Sequence, residues 1–247
     1  MMKRYIVIFV TLFISFHVKA QEFRSMEYNG LLYQEMICND TQQDKLPLVI
    51  YLHGRHASGN DNQKQLSQAG VQEIEKYLRK NGLSACFLIP QCPEGQEWAG
   101  REGKPSYTDR VVELIAHYVK TKDIDSSRNY ICGASMGAQG AWKLLRDNPN
   151  IFAAALIVSG QAQHAKPSNF ADIPLYVTVG SKERSFEALK WFTTEIRKAG
   201  GKVKFDVLLG QRHRSACDKA FSTKRIKWLL SQEKELVNTI LSDRNKI

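Results

Sequence analysis

Ser135, in Gly133-Ala134-Ser135-Met136-Gly137, is the residue of this chain with the clearest surroundings for nucleophilic chemistry. A strand-like run, Asn129-Tyr130-Ile131-Cys132, precedes it and helix-forming residues 138–145 follow, so G-x-S-x-G reads here as a nucleophile elbow. Such a turn lifts Oγ out of the sheet and aims the next backbone N–H, that of Met136, at a developing oxyanion. Only small residues two before and two after the serine let strand and helix approach. Gly133, Gly137 and Gly140 do not follow the G-x-G-x-x-G spacing of a dinucleotide loop.

A serine hydroxyl is a poor nucleophile until a base removes its proton. The apolar run 203–209 ends in Gly210-Gln211-Arg212-His213, and the run 174–179 ends in Gly180-Ser181-Lys182-Glu183. His213 can take the proton through one ring nitrogen while Glu183 holds the other. A third strand end, Tyr51-Leu52-His53-Gly54-Arg55-His56, offers the Arg55 N–H as a second oxyanion donor, with Gly54 permitting the tight turn. Losing one such donor typically costs ~3–4 kcal/mol of transition-state stabilisation. His53 reads as a structural hydrogen-bonding residue. His53 and His56 lack a third metal ligand, and no metal site or cofactor motif is expected. Trp98, after Pro93-Glu94-Gly95, can stack on an aromatic acyl or sugar ring, with core packing the alternative. His164 is a substrate-contact candidate in the loop after the run 153–158, with a plain solvent loop the alternative.

The elements that must carry these residues alternate. An entry hairpin, Arg24–Tyr28 and Leu31–Cys38, flanks the turn pair Asn29-Gly30. Leu46–Leu52 is a short apolar run, the mark of a strand buried on both faces. Helix is expected around 63–80, strand over 84–89 and an amphipathic helix over 108–120, where Val111, Leu114, Ile115 and Tyr118 recur at helical spacing. Strand follows over 128–132, helix over 136–146, strands over 153–158, 174–179 and 203–209, a helix near Phe186–Lys198, and helix from 218–230 onward to 241. This alternation predicts an α/β fold with a mostly parallel central sheet and helices on both faces. The site is then expected at the carboxyl ends of the strands.

The chain has 247 residues, 43% of them hydrophobic and 24% charged, which fits a globular protein and excludes a disordered chain or a multi-span membrane protein. Its formal charge is +10. Residues 1–20 read as a secretory signal: Lys3 and Arg4, an uncharged run over 5–16, then Val18-Lys19-Ala20. That run is shorter than the about 20 residues a membrane span needs. Its removal takes three cations and no acid, leaving +7, and no stable membrane insertion is expected afterwards. The protein is expected to be exported, to the periplasm or outside the cell, with no nucleic-acid partner. Residues 21–247 read as one domain. Cys38, Cys86, Cys92, Cys132 and Cys217 are expected to be structural, since their spacing fits no zinc pattern and their number is odd.

With these residues in place, the chain resembles the α/β-hydrolase superfamily. It is most similar to its secreted esterase or "predicted peptidase" branch, akin to polyhydroxybutyrate-depolymerase-like and feruloyl-esterase-like enzymes. The resemblance is carried by LPLVIYLHG (46–54), LIPQCPEGQEW (88–98), DSSRNYICGASMGAQGAW (125–142), IPLYVTVGSKE (173–183) and GQRH (210–213). It implies Ser135 as nucleophile, His213 as base and position 183 as acid, in the chain order of that superfamily. The chain departs from the branch at Glu183, where Asp is usual, at Val179-Gly180, where His-Gly is usual, and at Arg55, where a small residue is usual.

Residues 161–172 are too few for a large cap domain, so an open site for small-molecule or polymer-linked esters is expected, acyl esters on glycans among them. The competing readings are a serine peptidase of prolyl-oligopeptidase-like type and a non-catalytic binding module. Arg55, Lys182, Arg184, Arg212 and Arg214 gather on the site loops, so either an anionic substrate or a solvated basic surface is expected there.

Overall fold

The computed structural model describes residues 22–38, 45–101 and 105–234; the signal at 1–20 and the stretch 235–241 of the expected last helix lie outside the described residues. β1 (Arg24–Tyr28) and β2 (Leu31–Cys38) form the entry hairpin, with Asn29 at φ 48° and Gly30 at φ 74°. Two positive φ values in a row match the strand twist, and Asn-Gly tolerates them.

Six further strands follow: β3 (Leu46–Leu52), β4 (Ala85–Pro90), β5 (Ile124–Ala134), β6 (Ala154–Val158), β7 (Leu175–Gly180) and β8 (Val203–Leu208). All eight join one sheet in the order β1-β2-β4-β3-β5-β6-β7-β8. The pairings among β3 to β8 are parallel, and β2 joins β4 antiparallel. β4, β6 and β7 are buried along their whole length, which is why their sequences run apolar without alternation.

The helices are α1 (Ala69–Lys80), α2 (Thr108–Thr121), α3 (Met136–Asp147), α4 (Phe186–Lys198), α5 (His213–Lys219) and α6 (Thr223–Leu230). They close two cores, one per sheet face. Leu48, Ile50 and Leu52 of β3 enter the core shared with Val111 and Leu114 of α2, Leu144 of α3 and Leu189 of α4. Val49 and Tyr51 enter the other, against Val71 and Ile74 of α1 and Ile226 of α6. Alternating side chains of one strand thus serve both faces.

Two expected helices are broken. The stretch 63–80 is a 3-10 turn, Lys64–Ser67, followed by α1 from Ala69, with Gln68 extended between them. Asn62 anchors the chain just before it: its amide donates to the carbonyls of Met26 and Tyr33, and its N–H donates to Gln91 Oε1. The last helical stretch breaks after Lys219, and Phe221 turns into the core beside Tyr51, ring centroids 5.3 Å apart. Helical periodicity does not register a buried aromatic pulled inward from a turn. The connection from β6 to β7 carries only a 3-10 turn, Pro167–Phe170, so no large cap stands there.

Candidate active site

Strand order reverses direction around β3, whose neighbours are β4 and β5. Gly54-Arg55 after β3 and Ser135 after β5 therefore flank the switch point, where open parallel sheets leave a crevice. The parallel strand ends place Ser135, Ser159, Glu183 and His213 along one edge, after β5, β6, β7 and β8 in turn.

Ser135 sits between β5 and α3 at φ 57° and ψ −118°. Such a conformation in a non-glycine residue costs on the order of 1–3 kcal/mol and survives only where the surroundings enforce it. The enforcement is visible. A Cβ on Gly137 would lie 1.9 Å from the Leu52 carbonyl oxygen, and one on Gly133 would lie 2.4 Å from that of Gly137. The Ser135 N–H is also held by the Val158 carbonyl at 2.9 Å.

His213, the first residue of α5, lies with Nε2 2.8 Å from Ser135 Oγ and Nδ1 2.7 Å from Glu183 Oε2. The Glu183 side chain is 2% exposed, against 53% for that of His213. The other Glu183 oxygen accepts from Ser159 Oγ at 2.6 Å and from the Gly180 N–H at 2.7 Å. Burial pushes the Glu183 carboxyl up, but His213, Ser159 and Gly180 together hold it below its ordinary range. It therefore stays ionised. The hydrogen bond to Glu183 raises the His213 pKa against a smaller opposing effect of burial.

Met136 is the first residue of α3, where a helix leaves its N–H without an intrahelical acceptor and the helix dipole favours negative charge. Arg55 opens a short 3-10 turn, and both residues line the cleft at Ser135. Gly54 is close enough that a Cβ there would lie 3.6 Å from the Ser135 Cβ. His53 holds this turn in place. Its Nδ1–H donates to the Gly54 carbonyl at 2.8 Å, and its Nε2 accepts from the Cys92 N–H at 2.9 Å, which sets one neutral tautomer. Full burial lowers its pKa to about 4.

Trp98 is corrected: it is fully buried, and its indole N–H donates to the His53 carbonyl at 3.0 Å. Its ring stands edge-on to His53, 5.1 Å away, and its Cβ lies where a Cβ on Gly140 would clash. It braces the turn below the site and presents no face to a substrate. His164 lies in the expected loop after β6, on its solvent side. It is exposed at φ 50°, its carbonyl accepts from Arg146, and it does not line the cleft at Ser135. Arg55 does reach the cleft mouth, where its guanidinium binds Glu97 Oε1 at 2.6 Å. All five cysteines are free thiols; Cys38 is pushed up to about 11 and Cys92 to about 12 by burial.

Ser159 was not legible as a site residue. It is 4% exposed, has φ 54°, and its hydroxyl fixes the acid's far oxygen. The available signal is positional: Ser159-Gly160 follows a fully buried strand, as Ser135 follows β5. Two openings meet at Ser135 and His213. One, of about 570 Å³, is lined by Met136, Gly160 and Lys182; the other, of about 580 Å³, by His56, Gln68 and Arg214.

No protein-family model matches the chain, and no curated protein does. Solved structures do match it. A thermostable esterase superposes with a TM-score of 0.70 at 23% identity, covering 87% of this chain. The chain spans 63% of that esterase's length. An S-formylglutathione hydrolase from Staphylococcus aureus gives 0.65 at 15% identity, covering 85% of this chain and 99% of the hydrolase. A ferulic acid esterase gives 0.66 at 15% identity, covering 85% and 96%.

Proposed function

With the α/β-hydrolase fold as the frame, we propose that this chain is an exported serine carboxylesterase working through an acyl-enzyme. The observation that carries this reading is the continuous relay Ser135 Oγ to His213 Nε2, then Nδ1 to Glu183, at 2.8 and 2.7 Å. In the first step His213 takes the Ser135 proton as Oγ attacks the ester carbonyl. Glu183, already ionised and held by three donors, stabilises the imidazolium and keeps Nδ1 protonated. The N–H groups of Met136 and Arg55 receive the oxyanion. His213 then returns the proton to the leaving alcohol, and a water activated by the same imidazole releases the acid. The open strand ends suit small or polymer-linked esters, such as acyl groups on glycans. The strained elbow also argues against a silent binding module, because it is a costly arrangement that packing does not require.

A fluorophosphonate trap tests the assignment. The wild-type chain is expected to label at Ser135, Ser135→Ala to remain unlabelled, and ester cleavage to exceed cleavage of matched peptide amides. Label retained in Ser135→Ala would overturn the nucleophile; faster amide cleavage would favour the peptidase. Export is tested by the N-terminus of the mature protein, expected at Gln21.

A further inference from the structure

We propose that the ester carries an anionic group, a carboxylate, sulfate or phosphate, and that Lys182, Arg184 and Arg212 bind it beside Ser135. The inference rests on the ester-hydrolase reading and names the substrate class for the same site. The cleft on the Met136 side of Ser135 is lined by four cations, Arg55, Lys182, Arg184 and Arg212. The carboxylate that lines it is Glu183, and both of its oxygens are already bound, one to His213 and the other to Ser159 and Gly180. An anion entering the cleft therefore meets cations and no free acid among the described residues.

The four cations differ in how they are held. Arg55 is committed to Glu97. Lys182, Arg184 and Arg212 are exposed and form no ion pair among the described residues. Most arginines elsewhere have an acceptor: Arg24, Arg79, Arg128, Arg146 and Arg225 each contact a carboxylate, and Arg110 and Arg197 donate to the carbonyls of Asn29 and Val203. Gathering three unpaired like charges on a cleft wall carries a repulsive cost that an arriving anion would relieve. Guanidinium groups also fit oxyanions of acids bidentately.

The backbone segments that carry the three are also tied to those that carry the reacting side chains. They sit on the loops after β7 and β8, the same loops that carry Glu183 and His213. Those loops are tied together: the Lys182 N–H donates to the Gln211 carbonyl at 3.0 Å, and the Gly210 N–H donates to Ser181 Oγ at 2.8 Å. A charge on the substrate within side-chain reach of these loops can therefore be met close to the scissile bond. Arg214, the fifth cation of the site loops, faces the other opening, which also holds Asp218.

Two series of esters test this, each with one leaving group throughout. In the first, the acyl chain ends in a carboxylate, sulfonate, phosphonate, methyl ester or trimethylammonium. In the second, one acetyl group is carried by uronate or by neutral oligosaccharides. In at least one series, kcat/KM at low salt should favour an anionic member over its neutral partner by about tenfold, a difference of ~1.4 kcal/mol. The gain should lie mainly in KM, and the ratio should fall toward one at roughly molar salt, where screening acts over about 3 Å. In the triple variant Lys182→Gln, Arg184→Gln, Arg212→Gln the anionic-to-neutral ratio should collapse toward one, whatever happens to both rates. Equal wild-type rates in both series, or a ratio unchanged by the triple variant, would overturn the proposal. Should the variant not fold, the wild-type salt dependence decides alone. Absence of fluorophosphonate label at Ser135 would instead defeat the ester-hydrolase reading itself, so the two failures are distinct.

Discussion

Two histidines flank Ser135, and the protein treats them in opposite ways. His213 follows β8, is half exposed, and faces a buried carboxylate that raises its pKa. His53 follows β3, is fully buried, and meets backbone groups and the Trp98 ring but no counter-charge, so burial lowers its pKa to about 4. The same side chain is thus placed for the proton transfer proposed above on one side of the serine and held as a neutral brace on the other. The partner decides the outcome: an ionised acid favours imidazolium, whereas burial without a counter-charge forbids it.

The largest test of this contrast is removal of the titrating histidine. His213→Ala is expected to lower kcat by about 10⁶, as loss of a base that acts together with its nucleophile does elsewhere. Steady-state rates on an activated aryl ester measure it. Glu183→Gln should cost on the order of 10⁴, because the neutral amide no longer enforces the reactive tautomer. In wild type kcat/KM should rise with pH as His213 loses its proton, with the limb above the ordinary histidine value of about 6.5. Glu183→Gln should move that limb to lower pH, and a pH–rate profile reads the shift.

His53→Ala should act on the other side. It frees the Gly54-Arg55 turn, so kcat is expected to drop by about 10²-fold, the size of a lost oxyanion donor, while the pH limb stays in place. A limb that moved with this variant would erase the distinction between the two histidines. Stability supplies a further contrast. The folded His53 pKa lies below its unfolded value, so its contribution is present above about 6.5 and is lost as pH falls toward about 4. A gap of that size corresponds to about 3 kcal/mol, and urea unfolding at the two pH values should show a smaller difference in His53→Ala. His213, with its raised pKa, has the opposite sign: its contribution is present at acid pH and is lost as pH rises through the folded value.

The smallest expected effect belongs to Ser159→Ala. It removes one of three donors to Glu183, so the acid's pKa should rise while it remains ionised at neutral pH. Activity near pH 7 should fall by roughly tenfold or less, and more steeply below pH 6, in the same pH–rate measurement.

How legible the site was follows from what kind of constraint holds each residue. Ser135 announces itself because its turn demands Gly133 and Gly137 on either side, a local requirement written in adjacent positions. His213 and Glu183 could be placed because each follows an apolar run that ends in glycine. Trp98 was open between a substrate face and the core, because an aromatic after a turn has the same local pattern in both cases. Ser159 left only its position as a mark: a serine after a strand is common, and its importance comes from an acid 24 positions away along the chain.

The amino-acid sequence by itself determined the alternation of strands and helices, the two-faced burial of the sheet and the elbow serine. These depend on periodicity and on turns a few residues long. Only the tertiary structure decided that His53 is locked neutral, that Trp98 braces rather than binds, and that Arg55 pairs with Glu97 while Lys182, Arg184 and Arg212 stand unpaired. Charge state and exposure are set by what the fold brings within about 4 Å of a side chain, where Coulomb and desolvation effects are large. For this protein those neighbours come from strands far apart in the chain.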